Sequence, residues 1–247
     1  MRYFIELSYN GKNYHGWQVQ PHSISIQEKL NKAISTILQE PINAVGAGRT
    51  DAGVHASQMY AHFDTKKILT DNFSFKLNAL LPNDIVIHNT TMVKDDSHAR
   101  FDAISRSYEY RIWLGRNPFL LDTTWQLLYT NININAMNDA ARILYQYENF
   151  QCFSKVKTDV KTFNCKITNA NWVLTGNSLT FHISADRFLR NMVRAIVGTL
   201  LDIGLQKKQF EDMKKIIESK NRENAGVSVP AKGLFLTNVS YNYKLGE

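Results

Sequence analysis

The stretch GAGRTDAGVHA, residues 46–56, sets Arg49 and Asp51 two positions apart among glycines at 46, 48 and 53. In an extended segment residues i and i+2 point to one face, so the guanidinium would lie beside the carboxylate with Thr50 turned away. A carboxylate next to a cation is favoured in its ionised form, which suits work as a nucleophile or base and not as a proton donor. Glycine is useful where the backbone takes a positive φ or lets another group come close. Two readings fit: a tight turn closed by a surface ion pair, or a cleared catalytic carboxylate. An exposed pair contributes only about 0–1 kcal/mol, and a salt bridge does not need flanking glycines.

Three more groups carry possible chemistry. In DRFLRNMVRAIVGTLLDI, residues 186–203, Arg187, Arg190 and Arg194 fall at i, i+3 and i+7. On a helix they form one face, with Phe188, Met192, Ala195 and Ile196 on the other. That stripe is either a solvated polar face or a phosphate-contacting surface; no matching acids stand on the next turn. Tyr108 and Tyr110 share a strand face, as sheet packing or as a stacking platform worth about 1–3 kcal/mol per base. Tyr14, Trp17 and Gln18 in YHGWQ admit the same two readings.

Other chemistries lack their signatures. There is no GxxxxGK[ST], no GxGxxG between strand and helix, no GxSxG and no HExxH. Asp51 and His55 would converge on a metal only on a helix, and VHASQMYAHF reads as a strand. A glycosidase needs a second partnered carboxylate, and none is evident. No metal or cofactor is expected.

The elements that must position these residues follow from periodicity. RYFIELSY, residues 2–9, alternates as a strand. SIQE at 25–28 is a capping box, followed by Leu30, Ala33, Ile34, Ile37 and Leu38 at helical spacing. Strands are expected at 42–48 and 54–64, a short helix at 74–81 stopped by Pro82, and a strand at 84–93. The second half repeats the order: a long strand at 99–114, a helix marked by Met137, Ala140, Ala141 and Leu144, a hairpin turning at 175–177, and the long helix 186–203 with Gly204 placed as its C′ glycine. A short helix carrying Phe210, Met213 and Ile217 and a closing strand at 233–243 complete it. The expected fold is α+β: two similar ferredoxin-like βαββαβ halves, residues 1–97 and 98–247, with mixed, largely antiparallel sheets around a central basic cleft.

The chain of 247 residues has 29 Lys+Arg against 22 Asp+Glu, a net charge of +7 that favours a polyanionic partner. Cys152 and Cys165 form no CxxC and read as buried free thiols in a reducing compartment. The N-terminal MRYFIELSYNG lacks a signal peptide's apolar run, and no stretch approaches the ~18 apolar residues of a membrane span. A soluble, cytoplasmic protein is expected.

The motifs resemble those of the TruA-type tRNA pseudouridine synthases. GRTDAGVHA resembles that family's active-site motif, SYNGKNYHGWQVQP its Y-D-G-x-x-Y-x-G-W-Q-x-Q segment, and DDSHARFDAISRSYEYRIW its H-A-R-F…Y-x-Y segment. FLRNMVRAIVGTLLDIG is similar to its F-x-x-x-M-V-R-x-I-V-G helix, and PAKGLFLTNVSY to its closing A-x-G-L-x-L-x-x-V-x-Y. The blocks keep the family's order along nearly the whole chain. The resemblance implies isomerisation of uridine to pseudouridine in the anticodon arm of tRNA, at positions 38 to 40, by a homodimer without cofactor or metal. It implies that Asp51 is the catalytic aspartate, that Arg49 pairs with it and that Tyr108 contacts the target base. Tyr14, Trp17, Gln18, Arg100, Arg187, Arg190 and Arg194 are then the substrate-binding residues. Asn10 stands where the family often has Asp, Val19 where a basic residue is common, and 154–164 aligns poorly. A non-catalytic tRNA-binding protein, in which Asp51 only orders a loop, and a synthase acting on another RNA are the competing readings.

Overall fold

A computed structural model describes residues 1–128, 131–156 and 160–244. Strand β1 (Arg2–Tyr9) forms on the expected alternation, and its Ile5 and Leu7 are fully buried. Helix α1 (Ile26–Leu38) starts at Ser25, whose hydroxyl accepts the Glu28 N–H at 3.2 Å while the Glu28 carboxylate accepts the Ser25 N–H at 3.4 Å. Each bond satisfies a donor that the first helical turn leaves open. Leu30, Ala33, Ile34 and Leu38 are buried, as their spacing requires.

Strand β2 (Val45–Gly46), strand β3 (His55–Asp64), helix α2 (Phe73–Leu80) and strand β4 (Ile85–Val93) follow. β1 runs antiparallel between β4 and β3, and β2 pairs with the far end of β3 at Ala61 and His62. Helix α2 ends with Leu81 extended, the conformation that a following proline imposes. The expected strand 42–48 is thus only two residues long. The rest of that stretch gives its backbone groups to other partners: Ala44 N–H goes to the Asn31 side chain and Ala44 C=O to Gln27 Nε2.

Next come strand β5 (Ala103–Leu114), strand β6 (Trp125–Leu127), helix α3 (Ile134–Ile143) and the hairpin of β7 (Ile167–Thr175) and β8 (Ser178–Ala185). The hairpin turns at Gly176, with φ of 59°, in keeping with a two-residue turn whose first central position needs positive φ. Helices α4 (Met192–Gly204) and α5 (Asp212–Ser219) follow, and strand β9 (Leu234–Tyr241) closes the order. β8 runs antiparallel between β5 and β7, and β6 pairs parallel with the end of β5. Met137, Ala140, Ala141 and Leu144 are fully buried.

The chain divides into two compact units, Met1–Ser105 with Phe235–Glu247, and Arg106–Leu234. The division expected at 97/98 assigns the last strand to the second half. By packing, β9 belongs with the first, where it pairs parallel with the start of β3 at His55 and Ala56.

Four expectations at element ends are corrected. β5 begins at Ala103 and not at 99, because residues 98–102 close a turn in which Asp102 N–H donates to His98 C=O at 3.1 Å. α4 begins at Met192 and not at 186, because Asn191 takes a left-handed conformation with φ of 66°. Gly204 is the last helical residue and not a left-handed cap; that conformation falls to Gln206, with φ of 58°. A Cβ at Gly204 would meet the Met137 sulfur at 2.4 Å, so this glycine serves the close packing of α4 on α3. Phe210 precedes α5 and is exposed, whereas Met213 and Ile217 are buried in it. Within the poorly aligned segment 154–164, Lys157, Thr158 and Asp159 lie outside the described residues.

Candidate active site

Asp51 lies in the loop between β2 and β3, half-buried, with Arg49 exposed beside it in sequence. The loop is not a strand, so the alternation argument does not apply to it. A turn replaces the strand: Val54 N–H donates to Asp51 C=O at 3.1 Å, and Gly53, with φ of 77°, takes the third position, where such a turn demands glycine. The expectation that a glycine here takes a positive φ therefore holds at residue 53.

The segment Asn10–Gln18 holds this loop from one side. Trp17 N–H donates to Thr50 C=O at 3.2 Å, and Gly53 N–H donates to Tyr14 C=O at 3.2 Å. Gly11 N–H reaches His55 Nδ1 at 3.1 Å, and the Tyr9 and Thr50 hydroxyls share a bond of 2.9 Å. Two glycines make this closeness possible. A Cβ at Gly16, where φ is +87°, would lie 2.2 Å from the Thr50 carbonyl oxygen, and one at Gly11 would lie 2.0 Å from that of Val54. Gly46 meets the Trp17 ring in the same way, at 2.5 Å, whereas a Cβ at Gly48 would meet nothing within 4 Å. The carboxylate-bearing loop is therefore bonded from below on both sides of Asp51, and open at Gly48.

Tyr14 and Trp17 are 6% and 1% exposed. Their rings are covered by protein, so they bear on the site by supporting the loop rather than by offering a stacking face. The Tyr14 hydroxyl donates to Asp84 Oδ1 at 2.5 Å, and burial, then that carboxylate, push its pKa above the ordinary tyrosine value. Gln18 is half-buried, and its Nε2 donates to Gln27 Oε1 at 2.8 Å. Gln27 in turn donates to Ala44 C=O at 2.7 Å. Tyr9, Thr50 and Gly16 belong to this construction too; all three lie inside the quoted motifs, but nothing in the sequence shows that they support the loop.

Arg100 sits in the turn that precedes β5, exposed, with its guanidinium carbon 5.7 Å from the Phe101 ring centroid. Under the turn, Ala99 N–H donates to Nδ1 of the buried His62 at 3.1 Å. Burial first, then Arg2 and His98, push the His62 pKa down to about 4, against opposing contributions from Asp64 and Asp102. The unfolded chain then binds a proton that the folded chain refuses between pH about 6.5 and 4. The stability due to neutral His62 is complete above that window and is lost as pH falls through it. We expect the protein to be about 2 kcal/mol less stable at pH 5 than at pH 7 on this account. Urea unfolding at both pH values checks it, with His62→Asn, which keeps an acceptor for Ala99, flattening the difference.

In the second unit, Tyr108 is half-buried on β5 and meets Phe188 edge-on, with centroids 5.2 Å apart and planes at 89°. Arg187 and Arg190 lie on the irregular segment between β8 and α4, and Arg194 lies in the first turn of α4. The expected single helical face of three arginines is therefore not formed, since the left-handed Asn191 separates the first two from the third. Instead, a loop at 225–229 packs on the helix start. Asn191 Nδ2 donates to Ser228 Oγ at 2.5 Å, Arg194 Nε to Val229 C=O at 2.7 Å, and Arg222 to Gly226 C=O and Ser228 Oγ at 3.0 and 2.9 Å. Gly198 and Gly226 interlock there, a Cβ at Gly198 standing 1.9 Å from the Val227 carbonyl oxygen. Nothing in the spacing of these residues announces that contact.

Cys152 and Cys165 are free and buried, and burial pushes both thiols up to about 12. Among the described residues no three His, Cys, Asp or Glu side chains gather as metal ligands, and no helix is long and apolar enough to cross a membrane.

Comparison with known proteins adds to this geometry. A family model described as tRNA pseudouridine synthase matches residues 140–242. A tRNA pseudouridine synthase A of Bacteroides thetaiotaomicron is 51% identical over 244 residues, covering 97% of this chain and 90% of the relative. One from Bacteroides fragilis is 50% identical, covering 100% and 98%, and one from Bacillus subtilis is 36% identical, covering 98% and 100%. These alignments run through both the Asp51 loop and the Tyr108 strand.

Proposed function

Since the chain belongs to the tRNA pseudouridine synthases, isomerases that act on uridines of tRNA, we propose that it acts in the anticodon arm, at positions 38 to 40, with Asp51 as its catalytic carboxylate. The observation that carries this reading is the glycine-cleared loop, bonded through its backbone on both sides of Asp51, with open space at the Gly48 Cβ position. The reaction breaks the N1–C1′ bond, turns the uracil, joins C5 to C1′ and releases the C5 proton. A carboxylate can serve it by adding to C1′ or by taking a proton from C2′; both routes need it fixed near the ribose. Arg49 pairs with the carboxylate. Tyr108 touches the turned base and assists loss of the C5 proton.

Turning out a stacked uridine costs a few kcal/mol, and one aromatic stack of about 1–3 kcal/mol returns only part of it. Phosphate contacts supply the remainder, and Arg100, Arg187, Arg190 and Arg194 are the residues for it, with Gln18 a polar contact and Tyr14 and Trp17 acting through the loop. The order β-α-β-β-α-β of residues 2–93 supports a ferredoxin-like first half, and the order from β5 onward is similar. The protein works in the cytoplasm as a homodimer and needs no metal or cofactor.

Pseudouridine mapped by position in unmodified tRNA transcripts tests the reading. Product at 38, 39 or 40 is expected; product only elsewhere would overturn the assignment of the anticodon arm. Affinity should fall steeply with salt. In the double variant Arg187→Ala, Arg190→Ala, the slope of log affinity against log salt should shrink by about 1.5. Filter binding from low to physiological salt reads that slope, and an unchanged slope removes both residues from the phosphate contacts.

A further inference from the structure

The turn at residues 98–102 builds something that the reaction as derived does not use. Phe101 is 75% exposed, yet its backbone is tied down more tightly than a surface turn requires. His98 Nδ1 accepts both the Arg100 N–H at 3.1 Å and the Phe101 N–H at 3.2 Å. His98 N–H donates to Asp102 Oδ2 at 2.7 Å, and the Tyr243 hydroxyl donates to the same oxygen at 3.0 Å. Ala99 is held at both ends, its N–H by His62 at 3.1 Å and its C=O by the Tyr241 hydroxyl at 2.7 Å. The His98 ring then backs the Phe101 ring, with centroids 4.2 Å apart and planes at 31°, and His98 itself meets His62 at 4.5 Å. Singly exposed apolar side chains are ordinary and need no explanation. A ring backed by a second ring, on a backbone fixed at four successive residues, is a surface held ready for a flat partner.

We propose that Phe101 is a nucleobase-stacking platform, backed by His98 and flanked by the Arg100 guanidinium, that receives an unpaired base of the tRNA. The inference rests on the tRNA reading above. The chemistry of the flank favours a base over a protein side chain. Nucleobases stack on aromatic rings and on guanidinium planes alike, and the Arg100 guanidinium carbon lies over the ring, 5.7 Å from its centroid. Of the neighbouring acids, Asp102 is engaged in the turn itself and Asp95 lies 3.7 Å from the N-terminal amine. A fixed ring also loses little freedom when a base settles on it, which favours tight stacking. Stacking of this kind is indifferent to base identity, so the platform contributes affinity and register without choosing among tRNAs.

The test compares full-length Phe101→Ala, Phe101→Leu and Phe101→Trp, measuring binding to an unmodified tRNA transcript and steady-state kinetics of pseudouridine formation. The expected result is a dissociation constant raised about 5- to 150-fold in the Ala and Leu variants, the loss of one base stack, and near wild-type affinity in the Trp variant. KM should rise with it while kcat at saturation stays within a few-fold, and thermal unfolding should match the wild type because the ring is exposed. Wild-type affinity in Phe101→Leu overturns the proposal, since bulk without a ring would then suffice. So does a changed oligomeric state on gel filtration with unchanged tRNA affinity, which would make the occupant a second copy of the chain. A wild type that binds tRNA but forms no pseudouridine would instead refute the functional reading, and the binding series would still decide the platform.

Discussion

Asp51→Asn should abolish pseudouridine formation, by at least about 10³-fold in kcat, while the protein folds and binds tRNA within a few-fold of wild type. The amide matches the carboxylate in shape but is neither a nucleophile nor a base. The loop should survive the change because backbone bonds hold it: Val54 N–H to Asp51 C=O, Trp17 N–H to Thr50 C=O and Gly53 N–H to Tyr14 C=O. None of these uses the carboxylate. Single-turnover assays on a tRNA transcript, beside filter binding, separate chemistry from affinity. Residual activity within tenfold of wild type would remove Asp51 from the chemistry and leave it a loop-ordering residue.

The second large effect is on stability. Gly16→Ala should destabilise the protein by about 2–5 kcal/mol, because two costs coincide. An L side chain in the left-handed region costs about 1–2 kcal/mol, and the new Cβ, 2.2 Å from the Thr50 carbonyl oxygen, forces a shift of overpacking type costing about 1–3 kcal/mol. For a chain of this size that is a fall of roughly 5–15 °C in Tm. Gly48→Ala, in the Asp51 loop itself, is the control: its Cβ would enter open space, and Tm should stay within a degree or two. Activity of Gly16→Ala, assayed below its Tm, should fall as well, since what moves is the backbone next to Asp51. Equal melting of the two variants would contradict the close-approach account of these glycines.

What the sequence made legible was whatever local chemistry decides. The capping box at Ser25, the proline after α2, the turn at Gly176 and the alternation of β1 and β3 all act within a few residues. The misreadings occur where a distant partner decides. FLRNMVR has helical spacing throughout, yet the left-handed Asn191 delays the helix, and its side chain bonds Ser228, 37 residues away. Gly204 stands where caps stand, but its work is to admit Met137, 67 positions earlier. Tyr14 and Trp17 lie in a polar segment and read as a binding surface, whereas Gly46 and the Asp51 loop close over them. For the same reason the candidate chemical residues stand out in the sequence more than their supports do. Arg49 and Asp51 stand in one short motif, while the atoms that hold them come from Tyr9, Gly11, Tyr14 and Trp17, which only the folded backbone brings together.

The parallel pairing of β9 with the start of β3 also orders events in time. Phe235 lies against His55 and Val239 against Gln58, so the strand that carries the Asp51 loop waits for a partner made some 180 residues later. At ribosomal rates of about 5–20 residues per second, that leaves the edge of β3 without its partner for roughly 10–30 s of synthesis. Closing so long a loop is slow and makes the nascent first unit a target for chaperones or for strands of other chains. It also means that the Asp51 loop takes its final support only when residues 235–241 exist, so a ribosome-bound or prematurely ended chain would carry the whole GRTDAGVHA motif on an unfinished support.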